Sequence, residues 1–434
     1  MKTAPIILLY LLLTGLVRSQ DLASAPLPSP RSIHTSSSRI AHIGSPAPST
    51  RILTGADRMD QYLPLLEGRS VAIYANQTSL VGKTTLVDTL LKKGIHIVKI
   101  FSPEHGFRGD ADAGEHVSSQ KDPGTGIPII SLYGAKNKPT ADDLADVDIL
   151  LFDMQDVGVR FYTYIASLQK YIEAAIENNR PLIILDRPNP NGFYVDGPVL
   201  DPKFRSFVGM QPVPIVYGMT IGEYARMLIG EKWLDTPPPS HTDSVTLPPV
   251  HDFRLIVIPC DNYTHNSKYI LPVRPSPNLP DMQSVYLYPS LCFFEGTAVS
   301  LGRGTDRPFE QFGHPSFPAN LYSFMPVSTP GAKNPPLLNQ TCYGYDLSKV
   351  DVAKETGNRV SLKWLILAYR LFPDKEHFFP GSGAFFNKLA GNDLLQQQIK
   401  DGKTEEEIRK SWEPALSRFK KIRKKYLLYP DFGS

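Results

Sequence analysis

The chain has 434 residues but only three cysteines, Cys260, Cys292 and Cys342, so at most one disulfide is available and a stapled scaffold is excluded. Cys-poor chains of this size can still bury enough apolar surface for export. Net charge is equally scarce: 46 Lys and Arg against 43 Asp and Glu leave +3, far from the concentrated basic face that nucleic acid requires. Nucleotide motifs are missing as well. Gly82-Lys83-Thr84 would need a glycine at position 77 to build a phosphate loop, and that position is Gln77. No Gly-x-Gly-x-x-Gly turn follows the first apolar run, so no dinucleotide site is expected. The only long hydrophobic run is at the N-terminus. Proline goes the other way, with 40 residues, about 9% against a usual 5% or so, so many connections should be stiff and non-helical.

That N-terminal run, Ile6 to Leu13, follows Lys2 and reaches Gly15-Leu16-Val17-Arg18-Ser19. This is the layout of a signal peptide over residues 1–19, too short for a comfortable span. The expectation is an exported protein, periplasmic or secreted, with no stable membrane insertion once the signal is removed. Loss of Lys2 and Arg18 with it lowers the surplus from +3 to +1. Residues 20–50 are rich in Ser, Pro and Ala and read as a linker.

From about residue 51, short β-branched runs alternate with helical spacing. Strands are predicted at 70–74, 95–101, 148–152 and 181–185, and helices over 84–93 and 161–178, the latter with Ile165, Leu168, Ile172 and Ile176 on one face. That alternation defines an α/β fold with a Rossmann-like parallel sheet over 51–261. A composition richer in Pro, Tyr and Phe marks a second, smaller α/β domain over 262–434 that completes a cleft. Near the end, Glu405 to Glu407 precede a basic run, Lys420 to Lys425, as in a helix whose charges oppose its dipole.

In open parallel sheets, ligands bind beyond the carboxyl ends of the strands, and polar turn residues gather there. The densest group is Ser102-Pro103-Glu104-His105-Gly106, continuing through Gly114-Glu115-His116. Glu104, shielded by Phe107 and beside His105, suits a general acid. A bland solvated turn is the competing reading. Asp153 to Tyr164 follows the next strand. There Asp156 can start a helix, while Arg160 offers a fork for a carboxylate and Tyr162 a face for a sugar. Asn189 and Asn278, in proline-rich loops, provide amides for hydroxyls. Arg303, between two glycines, suits an anion, with Glu295 as its alternative partner. No His-x-x-x-His or paired cysteine exists, so no metal site is expected.

Taken in order, the motifs Ser102-Pro103-Glu104-His105-Gly106, Ala113-Gly114-Glu115, Phe152 to Gly158, Asp186 to Pro190, Pro275-Ser276-Pro277-Asn278, and Phe294-Glu295-Gly296-Thr297 with Gly302-Arg303-Gly304-Thr305 resemble the exo-acting β-N-acetylmuramidase (NamZ-type) family. The resemblance runs from about residue 52 to Pro430. It implies a bacterial glycosidase without cofactors that removes N-acetylmuramic acid from the non-reducing end of peptidoglycan fragments in cell-wall turnover, and it places a catalytic role on Glu104. Glycoside cleavage commonly needs a second group, for which Glu115, Asp153 and Glu295 are candidates, as is the substrate's own acetamide. The lactyl carboxylate calls for a cation, Arg160 or Arg303. Two other classes stay open at this point: a non-catalytic periplasmic sugar-binding protein, and a metal-dependent hydrolase using His105, His116 and Asp153.

Overall fold

The computed structural model describes residues 51–104, 106–107, 120–236 and 253–433. The signal-peptide and linker readings, and the positions of His105, Glu115 and His116, lie outside the described residues. Seven of the strands form one sheet: β1 (Ser70–Ala75), β4 (His96–Ser102), β5 (Gln120–Lys121), β6 (Pro128–Ser131), β7 (Ile149–Asp153), β8 (Leu182–Leu185) and β9 (Leu255–Ile258). A hairpin of β2 (Leu80–Val81) and β3 (Thr84–Thr85) stands apart. The spatial order is β5-β6-β4-β1-β7-β8-β9, parallel throughout except for the short edge strand β5. Without β5 this is the doubly wound order, with the chain reversing direction across the sheet between β1 and β7.

Period-two alternation gives the sheet two apolar faces. Ala72, Tyr74, Leu150, Phe152, Leu182 and Ile184 face the helix Tyr164–Glu177, whose Ile165, Leu168, Ile172 and Ile176 enter the same core. Val71, Ile73, Ile149, Leu151 and Ile183 pack on the other side with the helices Met59–Leu66 and Leu86–Lys92. Both predicted helices start later than their spacing indicated. Thr85 is the N-cap of Leu86–Lys92, accepting from the Asp88 N–H at 3.1 Å, which leaves Thr84 and Thr85 to the hairpin. Phe161 to Thr163 form a turn, closed by the Tyr162 N–H on Val159 O, and Asp156 caps no helix.

A three-stranded antiparallel sheet, β10 (Gln311–His314), β12 (Cys342–Asp346) and β11 (Tyr322–Phe324) in spatial order, lies in the C-terminal part with several short helices. One apolar core continues from Phe152 through Phe293 and Phe312 to Leu416 and Phe419. The terminal helix Glu405–Arg423 opens on a Thr404–Glu407 capping box and ends in Lys420, Lys421 and Arg423, as its charge order predicted. All three cysteines are buried and free, so the alternative of an incidental bridge does not hold. Among the described residues no helix is long and apolar enough to cross a membrane.

Candidate active site

Strand register builds one corner of the cleft. Ser102 at the end of β4 pairs with Ser131 at the end of β6, so Glu104 and Tyr133, each two residues further on, leave the sheet side by side. The Gly106 N–H on Pro103 O closes the turn that presents Glu104, and Gly106 adopts φ +73°, a conformation that glycine reaches without strain. The Tyr133 hydroxyl hydrogen-bonds the Glu104 carboxylate, and Thr163 donates to its Oε2 at 3.5 Å. Burial pushes the Tyr133 phenol well above its ordinary value, and the Glu104 charge adds to the effect, so Tyr133 stays a donor at any working pH.

Glu104 opens into a cleft of about 820 Å³ between the carboxyl ends of the parallel strands and the C-terminal elements. Its walls are aromatic: Phe161, Tyr162, Tyr164, Tyr288, Phe294 and Phe309, with Phe207 and Phe385 also in the lining. On the C-terminal side lie Asn278, Glu295, Arg303 and Lys333. Arg303 donates from Nε to Glu295 Oε1 at 3.0 Å and from Nη2 to the same oxygen, and its guanidinium lies over the Phe309 ring, 5.1 Å from the centroid. Burial alone would pull Arg303 down, but the neighbouring Glu295 charge outweighs it and holds the guanidinium above its usual value. Glu295 thus grips one edge of the fork. The Nη1 edge meets no acceptor among the described residues and is not sealed from solvent.

Four of the sequence-predicted residues with described positions therefore join Glu104 at the cleft: Tyr162, Asn278, Glu295 and Arg303. Three others do not. Asp153 is fully buried beneath the cleft-side loops and clamped by Arg187, whose Nε and Nη2 reach its two oxygens at 2.6 and 2.8 Å. It fills the switch point of the sheet as a structural ion pair, so it corrects the expectation of a second catalytic carboxylate there. Arg160 is also buried, donating to the carbonyls of Pro198, Val213 and Leu389 at 2.7–2.8 Å. Burial pulls it down to about 9, still cationic at neutral pH, and it ties the sheet region to the helix Ala384–Ala390 instead of meeting a ligand. Asn189 donates its amide N–H to Met219 O and accepts at Oδ1 from the Asn191 N–H, and it is buried away from the cleft lining. Phe107 is buried and joins the core cluster of β1 and its neighbouring helices.

Sequence reasoning missed Tyr133, Thr163, Tyr288 and Lys333. For Tyr133 a signal exists: it follows Ile127 to Leu132, where Pro128 takes the first position of β6. Lys333 sits in an irregular loop with no pattern to single it out. Among the described residues no three His, Cys, Asp or Glu side chains cluster as a metal site.

A doubly wound α/β sheet whose rim glutamate faces an aromatic cleft defines an α/β protein with a site suited to the apolar faces of sugar rings. Two domain families match this chain, described as exo-beta-N-acetylmuramidase NamZ, N-terminal, over residues 71–283, and C-terminal, over 286–429. The chain belongs to the exo-β-N-acetylmuramidase NamZ family. It is 36% identical over 402 residues to the peptidoglycan β-N-acetylmuramidase NamZ of Bacillus subtilis strain 168, covering 88% of this chain and 92% of that protein. Two crystal structures of DUF1343 family proteins from Bacteroides fragilis NCTC 9343 share the fold. One has TM-score 0.78 and 45% identity over 88% of this chain and 100% of its own. The other has TM-score 0.73 and 27% identity over 87% and 99%.

Proposed function

We propose that this protein is a glycosidase that releases N-acetylmuramic acid from the non-reducing end of peptidoglycan fragments, with Glu104 as the proton donor to the leaving oxygen. The observation that supports this most is the pairing of two features in one cleft: a glutamate aligned by Tyr133 and Thr163, and an arginine fork held on one edge by Glu295 with its other edge unpaired. The first suits acid catalysis. The second suits a carboxylate, which the lactyl ether of muramic acid supplies and N-acetylglucosamine lacks. Aromatic walls match the apolar faces of the sugar ring. The B. subtilis relative, named a peptidoglycan β-N-acetylmuramidase, supports the same substrate.

The reading extends to an exported enzyme acting in cell-wall turnover, with no nucleic-acid partner. Incubation with a muramic-acid-terminated disaccharide, followed by mass identification of the released sugar, tests it. Wild-type protein should liberate free N-acetylmuramic acid and a Glu104→Gln variant should not. Saturable binding without product would instead make the protein a sugar receptor.

A further inference from the structure

We infer that the group attacking the anomeric carbon is the substrate's own 2-acetamido oxygen, and that Asn278 is the residue that holds this acetamide in place. The inference rests on the glycosidase reading above. Asn278 is 4% exposed, lines the cleft, and donates from Nδ2 to Gly331 O at 2.9 Å. A carbonyl oxygen can only accept, so this contact fixes the amide orientation, and Oδ1 must be the atom turned the other way. Oδ1 meets no donor among the described residues, yet it is not a sealed, orphaned atom. It is an acceptor left open at the cleft whose lining includes the aromatic rings described above.

The loop carrying it is rigid. Pro275, Pro277 and Pro280 flank Asn278, and Pro275 O receives the Tyr162 hydroxyl at 2.8 Å and Gln77 Nε2 at 3.1 Å. Asn278 N donates to Ser276 Oγ at 3.2 Å. On the facing loop, Gly331 approaches so closely that a Cβ there would lie 2.4 Å from Pro277 Cβ. An acceptor held this firmly is preorganised for a donor that gains positive charge during reaction. The N–H of a 2-acetamido sugar becomes that donor when its carbonyl oxygen attacks C1.

Glu295, the other described carboxylate in the cleft, is engaged with Arg303. The steps balance without it. The acetamido oxygen bonds to C1 while the bond from C1 to the aglycone oxygen breaks, and Glu104 gives its proton to that oxygen. The resulting oxazolinium N–H is held by Asn278 Oδ1. Water then adds to C1, returning a proton to Glu104, as the bond from C1 to the oxazoline oxygen breaks and the acetamide re-forms. Two displacements at one carbon retain the β configuration.

The test uses the full-length protein and aryl β-N-acetylmuraminides. Proton NMR should show the β anomer of free N-acetylmuramic acid forming first, and turnover should fall progressively as the acetyl group is replaced by mono-, di- and trifluoroacetyl. Asn278→Ala should lower kcat by ~10²–10³-fold, the loss usual for one preorganised polar contact, with KM little changed. First formation of the α anomer, or turnover indifferent to fluorination, overturns the inference while leaving the glycosidase reading intact. Both measurements use wild-type enzyme and decide the attacking group even if the Asn278→Ala variant fails to fold; a folded Asn278→Ala with unchanged kcat overturns the role of Asn278, and Asn278→Asp, which keeps an acceptor, should retain turnover. Absence of any N-acetylmuramic acid release overturns both.

Discussion

Arg303 offers the sharpest quantitative test of substrate choice. Its guanidinium is about one-fifth exposed, gripped by Glu295 along the Nε and Nη2 edge, with Nη1 available to a ligand. Replacing it by glutamine removes the fork but also leaves Glu295 without its partner, so a raw loss of activity would mix two causes. Comparing two substrates separates them. Aryl β-N-acetylmuraminide and aryl β-N-acetylglucosaminide differ only in the lactyl ether, and both meet the same altered Glu295. A hydrogen bond to a charged group contributes about 1.5–3 kcal/mol. At about 1.4 kcal/mol per decade, Arg303→Gln should cut the ratio of kcat/KM for the two sugars by roughly 10- to 150-fold. Where the glucosaminide is too slow to follow, the ratio of inhibition constants for free N-acetylglucosamine and N-acetylmuramic acid should move in the same direction and by a similar factor. A large drop in both rates with an unchanged ratio would refute the assignment of Arg303 to the lactyl carboxylate and leave it as a structural partner of Glu295.

Other consequences concern stability and thiol chemistry. Burial pushes the Asp156 carboxyl up to about 7 despite hydrogen bonds from Tyr217 and Gly158, so the folded state favours its protonated form. Its contribution to stability is present below an unfolded pKa of about 4 and is lost as pH rises toward 7. The loss is on the order of 4 kcal/mol at about 1.4 kcal/mol per unit, and Asp156→Asn should flatten the dependence of denaturation midpoint on pH across that window. Arg187→Met strips a buried carboxylate of its partner and should destabilise the fold by about 3–5 kcal/mol in urea titration. Any activity loss in that variant should track the unfolded fraction, whereas a selective kcat effect in fully folded protein would return Asp153 to the chemistry. The three cysteines are free and buried, with burial raising each thiol, so they should resist a thiol reagent until the protein is denatured and then all react. Reaction of one in the native state would contradict this packing.

The parallel sheet was legible because its strands are buried on both faces and read as continuous β-branched runs; 149–153 and 182–185 are fully buried in the structure. The short β6, opened by Pro128, was not, and with it went Tyr133. Residue type likewise marked Glu104, Tyr162, Asn278, Glu295 and Arg303, which the structure brings to the lining of one cleft. It marked Asp153, Arg160 and Asn189 on the same grounds, and there it failed. A strand end delivers some side chains to the open rim and others into the switch point, and only the contacts made with distant segments decide which.

Periodicity and local turn chemistry thus determined the doubly wound architecture and the edge of the sheet where a ligand meets it, because burial pattern and helix capping act over a few neighbouring residues. Tertiary structure alone decided that Arg187 neutralises Asp153, that carbonyls from Pro198, Val213 and Leu389 enclose Arg160, and that the Asn278 amide N–H is held by Gly331 O. Each of these outcomes depends on partners 34 to 229 positions away. A charged or amide side chain looks the same in sequence whether those partners consume its hydrogen-bonding capacity or leave it for a substrate.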